Sequence, residues 1–183
     1  MVRGLHRVLV VKKTSLWDSV QKRLTVAAAT LEDLAECQRI LQDNAVASSH
    51  QAHIATLDLV QKCLALHAKH VEVSETFSQE QAATADLIVS VGGDGTFLKA
   101  VHAIPDTCDT PVLGVNSSPS TSYGYYCAAL EESFPQVLDS FMSGGITPTP
   151  VWRVQVVING VAAQPLILND ALFAGRQPAD TVK

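Results

Sequence analysis

The feature that most constrains this chain is a junction near its middle. Leu87 to Val91 is an apolar run, and it passes without a break into Gly92-Gly93-Asp94-Gly95-Thr96. Beyond that loop, Phe97 to Ala103 reads as a helix, stopped before Pro105. An apolar run without alternation is the pattern of a strand buried on both faces, as inner strands of parallel sheets are. A strand that enters a glycine loop and leaves as a helix is a building unit of open α/β sheets.

The chain before and after this junction keeps the same alternation. His6 to Val11 reads as a short buried strand. Thr30 with Asp33 resembles a capping box, and Leu31, Leu34, Ala35 and Leu41 then mark one face of a helix running to about Asn44. A second helix is expected from about Ser49 to His70, with Ile54, Leu57, Val60, Cys63 and Leu64 as its apolar stripe. Val71 to Val73 and Val112 to Val115 read as strands, the latter ending in Asn116. Ser133 to Phe141 reads as a helix, with Pro135 in its first turn and Gly144-Gly145 ending it. The expected fold is therefore α/β, an open, mostly parallel sheet with flanking helices over residues 1–148.

After Pro148 and Pro150 the character changes. Val151 to Ile158 and Val161 to Leu168 are strand-like runs joined by Asn159-Gly160, a strong short hairpin signal because both turn residues tolerate positive φ. Residues 149–183 are expected to be the first strands of an incomplete β-rich domain. A chain of this extent is expected to be inactive by itself.

Composition narrows the function classes. A formal net charge of -5 argues against a general nucleic-acid binder, which needs a basic face to displace counterions. No apolar run approaches bilayer length, so no membrane role is expected. Arg3, Arg7, Lys12, Lys13, Lys22 and Arg23 make a basic excess at the start, read as flanks of the first strand rather than a targeting segment. Cytoplasm is the default compartment, with a mitochondrion or another organelle left open. Cys37, Cys63, Cys108 and Cys127 form no C-x-x-C pair, so neither a zinc site nor a disulfide framework is expected. The His50/His53 and His67/His70 pairs lack a third ligand and read as solvated helix histidines. Ser15 and Ser90 have no base partner in the sequence, and Arg176 is either a phosphate contact or a surface residue.

The glycine loop carries the chemistry. In open α/β folds ligands gather at the carboxyl ends of strands, where this loop sits. Glycines permit left-handed backbone angles and close approach of a ligand. Successive N–H groups and the following helix N-terminus favour an anion. A carboxylate among phosphate-binding amides needs a task of its own. Asp94 is expected to act as general base toward a hydroxyl that attacks phosphorus, or to bind Mg2+; the bland reading is an Asp-Gly turn. The two commoner nucleotide motifs, G-x-x-x-x-G-K-[ST] and G-x-G-x-x-G, are absent.

Gly92-Gly93-Asp94-Gly95-Thr96 resembles the signature of the NAD kinases, a motif shared with diacylglycerol and sphingosine kinases. Pro111 to Pro119, continuing through Ser122, Gly124 and Cys127, resembles the segment that follows in NAD kinases, above all the branch of animal mitochondrial NAD kinases and plant NADH kinases. Leu168-Asn169-Asp170-Ala171-Leu172 resembles that family's Asn-Glu motif. The resemblance implies ATP-dependent phosphorylation of NAD+ or NADH at the adenosine ribose 2′-hydroxyl, with ATP as donor and Mg2+ beside it. It implies Asp94 as the catalytic carboxylate, Gly93, Gly95 and Thr96 as part of the phosphate cradle, and Asn169 and Asp170 as the dinucleotide-holding pair. Asn116 is a weaker candidate, whose bland reading is a turn residue with positive φ. Full-length relatives imply a homo-oligomer. In departure from the branch, Ser118 stands where an acid is usual, and Tyr125 and Tyr126 replace His or aliphatic residues. The competing readings are a lipid kinase of the diacylglycerol type and a nucleotide-binding fragment without turnover.

Overall fold

The computed structural model describes residues 4–25, 30–164 and 166–171, and the chain divides into two units, Met1–Pro148 and Thr149–Lys183. The first unit is a five-stranded sheet wrapped by helices. In chain order its elements are β1 (Leu5–Lys12), α1 (Leu16–Leu24), α2 (Leu31–Leu41), α3 (Asn44–Ala65), β2 (Ala68–Ser74), α4 (Gln79–Ala83), β3 (Leu87–Gly92), α5 (Asp94–His102), β4 (Val112–Asn116), β5 (Cys127–Leu130) and α6 (Phe134–Ser143). The strand order is β2-β1-β3-β4-β5, and every neighbouring pair is parallel.

Both faces of the inner strands are covered, as their unbroken apolar runs require. On one face Val8, Val10, Leu87, Val89 and Val115 meet Leu57, Val60 and Leu64 of α3 and Phe134, Leu138 and Met142 of α6. On the other, Leu9, Val11 and Ile88 meet Ala82 of α4, Ala100 of α5 and Ile104 just beyond it. Burial of each such Val, Leu or Ile is worth about 1.5–3 kcal/mol, so these layers dominate the stability of the unit. The helices start where the sequence supplies caps. Ser15 with Asp18 and Thr30 with Asp33 each close a reciprocal capping box, and α6 ends on Gly144 at φ 79.

Several boundaries and elements differ from the sequence expectation, each for a local reason. The second long helix begins at Asn44, capped by Asp43, and ends at Ala65, so His70 lies in β2 instead. As an edge strand, β2 leaves Lys69, His70 and Glu72 exposed, and this polarity hides its first half, so that only Val71 to Val73 reads as strand. Helices α1 and α4 were not anticipated; each buries a single residue, Val20 and Ala82, too little for a visible stripe. The opposite edge strand, β5, buries only Ala129 and is likewise invisible as a pattern.

The strand order fixes where a ligand fits. The chain leaves β1 toward one side of the sheet, to β2, and returns past it to β3 on the other side. At such a switch point the loops diverge and leave a crevice outside the carboxyl ends of the two strands.

The second unit contains β6 (Val157–Ile158) and β7 (Val161–Ala162), an antiparallel pair turned by Asn159 at φ 51 and Gly160 at φ 80. The turn is the expected one; the strands are shorter than expected. Val154 pairs with Ile167 in an isolated bridge through two hydrogen bonds, of 2.7 and 2.9 Å. Trp152 is 94% exposed, and Val151, Val154, Val157, Ile158 and Val161 are exposed as well. No described helix is long and apolar enough to cross a membrane.

Candidate active site

The glycine loop is gripped from both sides by the strands that flank β3. The Lys13 amide, just past β1, donates to the Val91 carbonyl at 3.0 Å, and the Ser117 amide, just past β4, donates to the Gly92 carbonyl at 3.1 Å. Gly93 then caps α5, its carbonyl accepting from the Thr96 and Phe97 amides, and Asp94 is the first residue of that helix. Among the described residues the glycines with positive φ are Gly124, Gly144 and Gly160. The loop glycines are thus needed for space rather than for left-handed angles, which corrects half of the sequence argument. A Cβ on Gly92 would overlap the Thr96 side chain and lie 3.1 Å from Lys13 Cβ. A Cβ on Gly93 would come within 2.5 Å of Ser122 Oγ, and one on Gly95 would meet no atom within 4 Å and stand in open space.

That open space is a cleft of about 380 Å³. Its lining includes Gly93, Asp94, Gly95 and Thr96 together with Lys12, Lys13 and Lys99. Among the described residues the lining thus combines three lysines and the start of α5 with one carboxylate, a balance that suits a polyanion rather than a metal cluster. No group of three or more metal-ligating side chains occurs among the described residues.

Asp94 is held by a neighbouring loop. Its Oδ2 accepts from the Tyr125 amide at 3.0 Å and its Oδ1 from the Tyr126 amide at 2.8 Å. Each carboxylate oxygen keeps a further lone pair, so the group is oriented without being saturated. Asn116 builds that loop from beneath. It is 2% exposed, its Oδ1 accepts from the Ser118 amide at 3.0 Å, and its Nδ2 donates to the Ser122 carbonyl at 2.9 Å. Gly124, at φ 68, lies where any side chain would strike the Asn116 amide. Asn116 itself does not take positive φ, and its amide is engaged with the loop. Tyr126 stacks on Phe97 at 5.3 Å, whereas Tyr125 remains 76% exposed.

Of the histidines read as solvated, His67 and His70 are exposed, whereas His50 and His53 are not. His53 is 1% exposed, with Nδ1 2.9 Å from Ser117 Oγ and Nε2 without a hydrogen-bond partner among the described residues. Burial, seconded by the charge of Lys13, pushes its pKa down to about 4. His50 is part-buried, 2.9 Å from Ser15 Oγ and stacked on Trp17. Ser15 is nonetheless no nucleophile, since its buried hydroxyl caps α1 and donates to Asp18. Ser90 is buried, and its hydroxyl has no hydrogen-bond partner among the described residues. All four cysteines are free, and the Cys127 thiol is pushed up to about 11 by burial and then by the charge of Asp94.

Asn169 and Asp170 belong to the second unit, both exposed, just after the bridge residue Ile167. Leu172 and Arg176 lie outside the described residues. Lys12, Lys13 and Lys99 were missed as site residues. A signal existed for the first two, because they close a buried strand at the end where α/β sheets bind ligands.

The family model described as the ATP-NAD kinase N-terminal domain matches residues 8–146. A probable NADH kinase of Oryza sativa subsp. japonica is 38% identical over 109 residues, covering 51% of this chain and 33% of that protein. An NADH kinase of Arabidopsis thaliana is 42% identical over 89 residues, covering 40% and 27%. The human protein named NAD kinase 2, mitochondrial, is 28% identical over 166 residues, covering 87% and 37%. The chain thus spans about a third of the length of these curated relatives. An NAD kinase from Archaeoglobus fulgidus, solved in complex with ATP, aligns with 86% of this chain and 45% of its own at a TM-score of 0.44 and 23% identity, too slight a likeness to carry an argument. The match over residues 8–146 takes in well over half of the sequence and ends just beyond α6; the chain belongs to the NAD kinase family.

Proposed function

We propose that this chain supplies the donor site and catalytic carboxylate of an enzyme that phosphorylates NAD+ or NADH at the adenosine ribose 2′-hydroxyl, with ATP as donor. The observation that carries this reading is the cleft itself, whose described lining combines three lysines and a helix N-terminus with the carboxylate of Asp94. Family membership supplies the reaction class, and the names of the plant and human relatives suggest the acceptor. In this reading residues 1–148 bind the donor and residues 149–183 begin the domain that holds the acceptor through Asn169 and Asp170. The assembled protein is a homo-oligomer.

The roles follow from the geometry. Gly93 and Gly95 leave room for phosphate oxygens against the N-terminal amides of α5, and Thr96 closes that wall. The ribose oxygen attacks the terminal phosphorus, its proton passes to a free lone pair of Asp94, and the bond to ADP breaks with the electron pair leaving on ADP. The residues fit Mg2+ as a companion of the donor, because that ion commonly takes one or two carboxylates and completes its shell with phosphates and water; Asp94 is the cleft's carboxylate. Bound there, Mg2+ would neutralise phosphate charge.

Replacing Asp94 by Asn tests the reading. An amide cannot take the proton, so NADP(H) formation should fall about 10²–10⁴-fold while ATP affinity is retained. The amide also leaves Tyr125 or Tyr126 without its acceptor, so unfolding is followed in parallel to confirm a folded variant. A folded Asp94→Asn protein with near wild-type kcat removes Asp94 from the mechanism.

A further inference from the structure

We infer that Lys13 is the cation of the cleft reserved for the donor's triphosphate, held in place by hydroxyl groups rather than by a carboxylate, with residue 118 controlling how much of its charge the donor meets. The inference rests on the donor-site reading above and adds a named ligand to it.

Lys13 is placed by the sheet. Its amide is bonded to the Val91 carbonyl at the end of β3, and its Nζ donates to Ser118 Oγ at 2.6 Å. Ser117 and Ser118 follow β4, on the far side of β3, so the lysine side chain bridges the point where the glycine loop begins. Its acceptor is itself fixed. Ser118 is buried, its amide donates to Asn116 Oδ1 at 3.0 Å, and its hydroxyl lies 3.3 Å from Ser49 Oγ of α3.

What distinguishes this ammonium is the neutrality of its partner. Arg7, Lys22, Arg23, Arg39 and Lys62 each pair with an aspartate or glutamate. Lys13 is part-buried and its hydrogen bond goes to a hydroxyl. Taking an ammonium out of water without a counter-charge is costly. The cost is visible as a pKa lowered by desolvation, which the charge of Asp18 only partly opposes. The unbalanced charge is also felt at the buried ring of His53, where Lys13 is the leading charged contributor to the lowered pKa. A phosphate oxygen in the cleft supplies the missing counter-charge through a charge-assisted hydrogen bond, while Ser118 and Ser49 keep the ammonium positioned before the ligand arrives. An aspartate at 118 would supply that charge permanently and leave the donor less to bind.

The ligand chemistry is a triphosphate, carried by ATP or by a free polyphosphate. Calorimetry on the full-length protein, with Mg-ATP, sodium tripolyphosphate and adenosine as separate titrants, tests the inference. Lys13→Met should weaken both ATP and tripolyphosphate about tenfold or more, with adenosine unchanged, as loss of a charge-assisted hydrogen bond does. Ser118→Asp should weaken the same two ligands to a similar degree and clearly more than Ser118→Asn, which is equal in size to aspartate but neutral. Lys13→Met protein that binds ATP and tripolyphosphate as wild type does overturns the inference and leaves the donor site standing. Equal losses in Ser118→Asn and Ser118→Asp overturn the role of charge at 118. Wild-type protein that binds ATP through adenosine alone, with no tripolyphosphate affinity, also overturns it. Wild-type protein that binds neither ligand overturns the donor site and this inference together.

Discussion

The chain turns on glycine in two places that look alike in sequence and differ physically. At the end of β3, Gly92 and Gly93 follow a strand buried on both sheet faces, and none of the loop's glycines takes a positive φ. At Asn159-Gly160 the flanking strands are exposed, and both turn residues do take positive φ. The hairpin needs glycine for what the backbone must do; the loop needs it because Thr96 and Lys13 occupy the space of a Cβ. A turn of the first kind is written locally and can be read from a dipeptide. A turn of the second kind depends also on residues distant in sequence, Lys13 and Ser122, and its meaning emerges only once β1, β3 and β4 lie side by side.

The largest expected separation of the two regions is in their response to acid. His53 is buried and neutral in the first unit, with a folded pKa of about 4 against an ordinary value near 6.5. As pH falls through 6.5 the unfolded chain takes a proton that the folded unit refuses until about pH 4. Stability contributed by the neutral ring is therefore complete above about pH 6.5 and is lost across that window, by about 3 kcal/mol. Denaturant unfolding followed at Trp17 between pH 7 and 4 should show this slope, and His53→Gln should flatten it. An unchanged slope in the variant would show that the ring is not the group responsible.

Glycine substitutions probe the contrast itself. Gly92→Ala forces Thr96 Cβ and Lys13 apart and should destabilise the first unit by about 1–3 kcal/mol, as overpacking does. Gly160→Ala meets no neighbour within 4 Å but holds φ 80, so its cost should be smaller, about 1 kcal/mol, and confined to the hairpin. Measured by thermal unfolding with residue-level amide exchange, a reversed order would mean that backbone strain, not crowding, governs the loop.

How much of this was legible follows the same division. The strand Leu87 to Val91, the Thr30–Asp33 cap and the Asn159-Gly160 turn are short-range patterns, and each appears as read. The helix after the glycine loop was placed three residues late, because its first turn is the motif itself. Lys12 and Lys13 show only within a basic excess and Lys99 not at all, since these lysines come to line one cleft through strand order rather than sequence spacing. His53 was misread because a histidine on a helix shows nothing of the Ser117 hydroxyl that will face it. Edge strand β2 shows only as Val71 to Val73, and β5 does not show at all, because half-covered strands carry no strong apolar signature.

The central claim is that the cleft around Asp94 transfers phosphate from ATP to a dinucleotide. The most direct test is to supply full-length protein with Mg-ATP and, in parallel reactions, NAD+, NADH or diacylglycerol, and to identify the products by phosphorus NMR. The account predicts a new ribose 2′-phosphomonoester on NAD+ or NADH, formed in step with ADP. Phosphorylation of diacylglycerol, or ADP released with no phosphate on the dinucleotide, would contradict it.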